Sequence, residues 1–393
     1  MRPGPWLRIC AVGGAAATLL AVVSGASGLG TGHRVLAALA LPPLAAVAAA
    51  AWVEHRQLRV PAFAALVLYG AAAAVTAEGV HLVLAGLAFG AAVVSAALSF
   101  RGEPQPVGSL RDYLTLTKPR IMTLLLLTGL CAMLVAAGGV PPLWLVAVTM
   151  LGLALACGGA SALNHVLDRD IDRLMGKRTR ERPVASGRVP AAYALEFGLA
   201  LSALSYVLLA GLVNPLTAHL ALAGNLFYVL VYTRWLKRST AQNIVIGGAA
   251  GAVPPLVGWA AATGEITLPA LVLFGVVFLW TPPHFWALAL LIRRDYAAAG
   301  VPMLPVVRGG RETARQIVLY TVALVAFTLA PVLWGQFGLV YLVAAVALGA
   351  AFLWLAWRLR AERTPARARL LFHYSLAYLA LLFVAMALDP LVG

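Results

Sequence analysis

Asn164, Asp168 and Asp172 stand at i, i+4 and i+8 in the segment NHVLDRDIDRLMGKRTRERP. On a helix each four-residue step rotates the side chain by only about 40°, so the three oxygen-bearing groups stack along one face while Asp170 turns away. Stacked carboxylates of this kind suit Mg²⁺, which takes one or two carboxylates and fills the rest of its shell with waters and phosphate oxygens. Lys177, Arg178 and Arg182 follow directly and can neutralise the same phosphates, Arg by bidentate contact and Lys as a point charge. A mixed loop also forms as a plain solvated, salt-bridged connection. The spacing, with an Asn closing an apolar run, favours the ligand reading over that one. A second carboxylate, Asp295, lies among Arg293, Arg294 and Tyr296 at the end of another apolar run. Two acidic clusters on one membrane face would bridge a diphosphate through two metal ions.

The elements that position these residues follow from composition. With 62% hydrophobic and 11% charged residues and a mean hydropathy of +0.91, the chain takes the bilayer as its solvent. Apolar runs near 20 residues recur between short polar loops. They predict thirteen spanning helices, at 8–28, 34–53, 60–77, 80–100, 121–138, 142–163, 191–211, 216–233, 243–262, 267–290, 316–334, 338–357 and 370–388. The net charge of +15 does not point to nucleic acid, because the cations alternate with the spans. With a cytoplasmic N-terminus, all of the 29 Lys and Arg except Arg34 fall on the cytoplasmic side. That is the positive-inside pattern, and it puts both acidic loops in the cytoplasm of a cell-membrane protein. Cys10, Cys131 and Cys157 all fall within spans and form no CxxC, so neither a disulfide framework nor covalent haem attachment is indicated. The first apolar segment is longer than a signal-peptide core and reads as a retained helix.

One polar stretch, RGEPQPVGSLRDYLTLTKPR at 101–120, divides four helices from nine. It predicts an all-α polytopic protein in two parts, residues 1–106 and 107–393. Within the first part the eight residues from His33 match those from His81 at six positions.

At the aspartate motif the chain resembles the UbiA-type intramembrane prenyltransferases, whose NxxxDxxxD pattern is met by Asn164, Asp168 and Asp172. It is most similar to their haem-farnesylating branch. Shared stretches are Thr117-Lys118-Pro119-Arg120, Arg178-Thr-Arg180-Glu-Arg182-Pro183, Tyr232-Thr233, Lys237-Arg238 followed by Asn243, Pro254-Pro255, and Pro283-His284-Phe285-Trp286. Many relatives carry a second DxxxD, whereas position 299 here is Ala and only Asp295 remains, a departure that fits the haem branch. The resemblance covers about residues 107–393 and implies a nine-helix prenyltransferase bundle with Mg²⁺ as cofactor. It implies farnesyl diphosphate held by Asn164, Asp168, Asp172 and Asp295, with haem b as acceptor. Lys118, Arg120, Lys177, Arg178, Arg182, Tyr232, Lys237, Arg238, Asn243 and Arg294 become candidates for binding the diphosphate or the haem propionates, with topology as the alternative account of the cations. His284 becomes a candidate to orient or ligate haem, with a packed, hydrogen-bonded core histidine as the alternative.

Residues 1–106 resemble, more weakly, one half of a haem a synthase, the enzyme that consumes haem o. That likeness implies His33 and His81 as candidate ligands of a second haem, and haem a synthase as a candidate partner. In an up-down bundle the two His stand at the starts of parallel helices, at one depth. Two other readings stay open: a prenyltransferase acting on a quinone-type aromatic, and a non-enzymatic haem-binding membrane protein using His33, His81 and His284.

Overall fold

The computed structural model describes residues 5–26, 30–53, 59–74, 78–99 and 108–392, and among them every regular element is helical. The chain divides into two compact units, one of residues 1–107 with 206–212 and one of 108–205 with 213–393.

The first unit holds α1 (Pro5–Ala26), α2 (Gly30–Val53), α3 (Arg59–Ala74) and α4 (Glu78–Ser99). Helix α1 packs on α2 and α4, and α3 on α2 and α4. The seams are built from small residues, Ala40, Ala48, Ala51, Ala62, Ala65 and Ala88, which let helices approach closely where lipid supplies no hydrophobic drive to associate. Tyr69 ties α3 to α2 by donating to the Ala37 carbonyl at 2.8 Å. His81 sits in the first turn of α4, its Nδ1 2.7 Å from the Ala72 carbonyl. His33 belongs to α2, and its side chain falls outside the described residues.

The second unit opens with the short α5 (Leu110–Leu116), started by a capping box between Ser109 and Asp112. Long helices follow: α6 (Pro119–Ala137) and α7 (Leu143–Leu167), then, after the short α8 (Arg169–Leu174) and α9 (Lys177–Arg180), α10 (Ala191–Leu212), whose residues 206–212 are grouped with the first unit, and α11 (Pro215–Leu226). Helix α11 continues as a π-helix over Phe227–Leu236 and closes with α12 (Lys237–Ser239). The rest is α13 (Asn243–Thr263), α14 (Leu268–Leu291), the short α15 (Arg293–Ala298) and α16 (Leu304–Val307), α17 (Gly309–Leu333), α18 (Leu339–Glu362) and α19 (Pro365–Val392). Among the described residues nine helices are long and apolar enough to cross a bilayer, and the chain is a multi-pass membrane protein.

Helix α13 packs on α6, α11 and α14, and α19 packs on α6, α14 and α18. Gly258 of α13 lies against the Gly129 backbone of α6 with no room for a Cβ, and the buried rings of Trp286, Tyr341, Phe352, Tyr378 and Phe383 fill the core. Several helices overrun the expected spans at the end that carries the acidic loops. Helix α17 begins at 309 rather than 316, α18 runs to 362 rather than 357, and α19 begins at 365 rather than 370. Hydropathy marks the apolar core, but Arg and Lys stems cover apolar surface while their heads reach water, so a helix continues past that core.

Candidate functional site

Helix α7 stops at Leu167, and Asp168 leaves the helical basin at φ −89°, ψ 1° before α8 resumes. The i, i+4, i+8 register survives this break, because the Asp168 amide donates to the Asn164 carbonyl at 2.9 Å and the Asp172 amide to the Asp168 carbonyl at 2.8 Å. Asn164, Asp168 and Asp172 are all buried, the two aspartates completely. Asp170 turns the other way and is gripped by both terminal nitrogens of Arg238 at 2.7 Å.

Charges this deep require partners. Lys237 donates to Asp168 Oδ2 at 2.5 Å. Arg182 spans Asp172, donating to Oδ1 at 2.8 Å and Oδ2 at 3.0 Å. Lys118 donates to Asn164 Oδ1 at 2.8 Å, while the Asn164 amide donates to Asp168 Oδ2 at 2.8 Å and to the Thr233 hydroxyl at 3.1 Å. The outcome is a closed lattice of acids and bases at the end of the bundle. Burial pushes the Asp172 carboxyl above its ordinary value despite the guanidinium upon it. The hydrogen bonds from Arg238 hold Asp170 well below the usual carboxylate range. Burial, helped by the nearby Arg182, brings the Lys118 ammonium down to about 7.

Lys118 reaches Asn164 from a left-handed backbone at φ 51°. That conformation costs a non-glycine residue about 1 kcal/mol or more. Pro119, which opens α6, disfavours the ordinary helical basin for the residue before it. The strain falls at a residue that touches the aspartate motif.

Lys237 and Thr233 are placed by the π-helix. Tyr228 and Lys237 are nine residues apart, which on an α-helix of about 100° per residue would set them on opposite faces. Bonding from i to i+5 winds the chain at roughly 4.4 residues per turn, so nine residues make about two turns and the two share a face. The rings of Tyr228 and Tyr232 stack at 5.5 Å along that segment. A Cβ at Gly247 of α13 would collide with the edge of the Tyr232 ring.

The second loop meets the first. Gly176 lies against Asp295, so close that a Cβ at 176 would sit 2.6 Å from Oδ2. Tyr296 is buried beside it, its phenol pushed up to about 12 first by burial. The remaining candidates divide. Arg120, Arg178 and Arg294 are exposed, and Lys177, 87% exposed, faces Glu181 at 3.9 Å. Among the described contacts none of these four meets the aspartates. Arg238 is committed to Asp170 and to the Leu167 carbonyl at 2.6 Å, so it secures the end of α7. Asn243, at the start of α13, is fully buried with neither side-chain polar atom hydrogen-bonded. His284 lies seven residues before the end of α14, about 10 Å deeper. Its Nδ1 is 2.7 Å from the Ser375 hydroxyl, and its ring stacks between Trp280 at 4.3 Å and Phe372 at 4.7 Å.

Sequence reasoning assigns no role to Thr233, Tyr228, Tyr296 or His165. The first two depend on the π phase, which no residue pattern announces. Tyr296 is legible only as a neighbour of Asp295. His165 is buried with both ring nitrogens unpartnered. It follows Asn164 directly and stands three residues from Asp168 and seven from Asp172, spacings that share a helical face.

The site fits a hard cation. Asp168 Oδ1 is buried without a hydrogen-bond partner, and the carboxylates of Asp168 and Asp172 with the amide oxygen of Asn164 make an oxygen-rich set, beside the unpartnered His165 ring.

The family described as UbiA prenyltransferases matches residues 125–384. A protoheme IX farnesyltransferase of Roseiflexus sp. (strain RS-1) is 46% identical over 406 residues, covering 93% of this chain and 76% of that protein. One of Symbiobacterium thermophilum is 57% identical over 282 residues, covering 71% of this chain and 94% of that protein. Among solved structures, a UbiA homologue from Archaeoglobus fulgidus bound to DMAPP and Mg²⁺ aligns with a TM-score of 0.55 at 18% identity, over 70% of this chain and 99% of that one. A structure described for digeranylgeranylglyceryl phosphate synthase aligns with a TM-score of 0.60 at 19% identity, over 72% and 98%. These two share the fold. The chain belongs to the UbiA prenyltransferase family and, within it, to the protoheme IX farnesyltransferases.

Proposed function

We propose that the chain transfers the farnesyl group of farnesyl diphosphate to a vinyl group of haem b, with addition of water, giving haem o and diphosphate. The observation that carries this reading is the lattice in which the buried Asn164, Asp168 and Asp172 are held by Lys118, Arg182 and Lys237, with Asp295 of the second loop against Gly176, in a chain of this family. Asp168, Asp172 and Asn164 would hold Mg²⁺, with Asp295 across from them. Among the described residues no three His, Cys, Asp or Glu side chains form a cation cage, so diphosphate oxygens and water would complete the shell. When bound, Mg²⁺ supplies charge neutralisation for the leaving diphosphate.

The chain's own groups do the rest. Lys118, Arg182 and Lys237 exchange their carboxylate and amide partners for phosphate oxygens and stabilise charge as the allylic C–O bond breaks. The apolar bundle keeps water from the farnesyl cation, and the vinyl carbon supplies the electron pair of the new C–C bond. Water then adds to the cation left on the porphyrin substituent and loses a proton, which gives the hydroxyl of haem o. With Nδ1 engaged by Ser375, His284 would present Nε2 to the acceptor.

We assign residues 1–106 to a separate extension with His33 and His81 as candidate ligands of a second haem. Haem a synthase as a partner has no support beyond the likeness of those four helices. The cytoplasmic membrane and a cytoplasmic site are supported by the single-sided cations, and a thiol at position 180 is expected to label only from the cytoplasm. The purified chain, given farnesyl diphosphate and Mg²⁺, is expected to convert haem b to haem o and to leave a 4-hydroxybenzoate-type acceptor unmodified. Prenylation of the aromatic instead would refute the assignment.

A further inference from the structure

The corner between α18 and α19 is densely basic. Between positions 358 and 369 stand Arg358, Arg360, Arg363, Arg367 and Arg369 against a single acid, Glu362. Glu362 accepts from Arg358 at 2.8 Å and from Arg367 at 2.8 Å, which fixes the two helix ends together. Arg360, Arg363 and Arg369 are exposed and have no carboxylate partner among the described residues. Arg363 ends α18 from a left-handed backbone at φ 41°.

Two tryptophans set the depth of this cluster. Trp354 and Trp357 are 55% and 60% exposed on a helix that crosses the bilayer. The Arg358 guanidinium lies 5.4 Å from the Trp354 ring centre and that of Arg360 lies 5.2 Å from Trp357. Helical side chains lean toward the helix N-terminus, and the N-terminus of α18 is at the opposite face of the membrane. Both guanidiniums are thus drawn back along the helix to the level of the indoles, where tryptophan prefers the headgroup layer. Cations held at that depth, beside lipid-facing rings, meet phosphodiesters before they meet soluble anions.

We propose that this corner binds the headgroup of an anionic phospholipid, with Arg360, Arg363 and Arg369 contacting the phosphodiester and Trp354 and Trp357 bordering its glycerol region. The bidentate fork of arginine suits phosphate oxygens. The corner lies on the membrane face that carries the aspartate loops, because α17 and α18 make one return crossing from the end of α16.

The test uses the full chain in phosphatidylcholine nanodiscs with and without phosphatidylglycerol, read by native mass spectrometry of retained lipid and by thermal unfolding. Phosphatidylglycerol is expected to be retained and to raise Tm. The variant Arg360→Gln/Arg363→Gln/Arg369→Gln is expected to lower retention about a hundredfold and to lose the Tm rise, while keeping the parent's Tm in pure phosphatidylcholine. The variant Arg360→Lys/Arg363→Lys/Arg369→Lys preserves charge and is expected to lower retention severalfold through loss of bidentate contact. Removing three exposed cations elsewhere, Arg111→Gln/Arg234→Gln/Arg311→Gln, should leave retention unchanged. Unaltered retention in both corner variants overturns the proposal, as does equal loss in the control. Displacement of the lipid by inorganic phosphate at matched concentration would mark a soluble-anion site and overturn it as well.

Discussion

Lys237 donates to Asp168 at 2.5 Å with the two side chains 10% and 1% exposed, so the end of the π-helix and the aspartate motif neutralise each other inside the protein. Removing one partner of such a pair leaves an uncompensated buried charge, at a cost of about 3–5 kcal/mol. Lys237→Met is therefore expected to lower thermal stability strongly. Adding Asp168→Asn should restore most of that stability without restoring turnover, because the isosteric amide removes the stranded charge. Stability that stays low in the double variant would show that Lys237 supports the fold through packing rather than through this pair.

Gly247 tests the placement of Tyr232. A Cβ there would collide with the Tyr232 ring, so Gly247→Ala must displace that ring, and displacements near 1 Å cost roughly a hundredfold in rate. Gly251, one turn on in the same helix, has open space around it, and Gly251→Ala should leave turnover within about twofold. Similar behaviour of the two variants would separate Tyr232 from the reaction.

Much of the site is legible in the sequence because it depends on short-range periodicity. The register of Asn164, Asp168 and Asp172, and the outward turn of Asp170, follow from helical phase, and the α7–α8 break preserves both through two backbone hydrogen bonds. The cations are legible as a set but not as individuals. Lys177, Arg178 and Arg182 are near neighbours in sequence, yet only Arg182 reaches an aspartate, while Lys177 faces Glu181 within its own short helix. Lys118 and Lys237 arrive from positions 46 and 69 residues away from Asn164 and Asp168, separations that no local pattern encodes. The π-helix is hidden for a similar reason, since its apolar run reads as an ordinary span.

The loop after α9 is clasped by Arg188, which donates to Asp112 Oδ1 at 2.8 Å and to the Glu181 carbonyl at 2.9 Å. Hydrogen bonds from Arg188 and Ser109 lower the Asp112 carboxyl from 3.8 to about 2. A depressed carboxylate contributes stability that is present above its unfolded pKa and is lost as pH falls through the folded one. The clasp should hold from neutral pH to about 4 and open between about 4 and 2. A spin label at position 180 would report the opening as line narrowing, and Asp112→Asn should show the narrow line already at pH 7. A line that broadens or stays constant on acidification would contradict the clasp.

Deletion of residues 1–106 is expected to leave haem o synthesis measurable, because every diphosphate-handling candidate lies after residue 107. The UbiA prenyltransferase match, at residues 125–384, also lies wholly after that boundary. Should His33 and His81 bind a second haem, His33→Ala with His81→Ala would remove its absorbance band and raise the haem concentration needed for half-maximal rate, as loss of a tethered store does. A truncated chain that inserts stably but stays inactive at saturating haem would show that the extension builds part of the site.

The most direct measurement is haem o formation from haem b and farnesyl diphosphate by Asp168→Ala, Asp172→Ala and Asp170→Ala, each checked for insertion and Tm. Asp168 and Asp172 face the lattice, whereas Asp170 is spent on Arg238. The first two variants should therefore lose turnover altogether and the third should keep most of it. Equal loss from all three, or turnover retained by Asp168→Ala, would contradict a site built on the stacked face of α7 and α8.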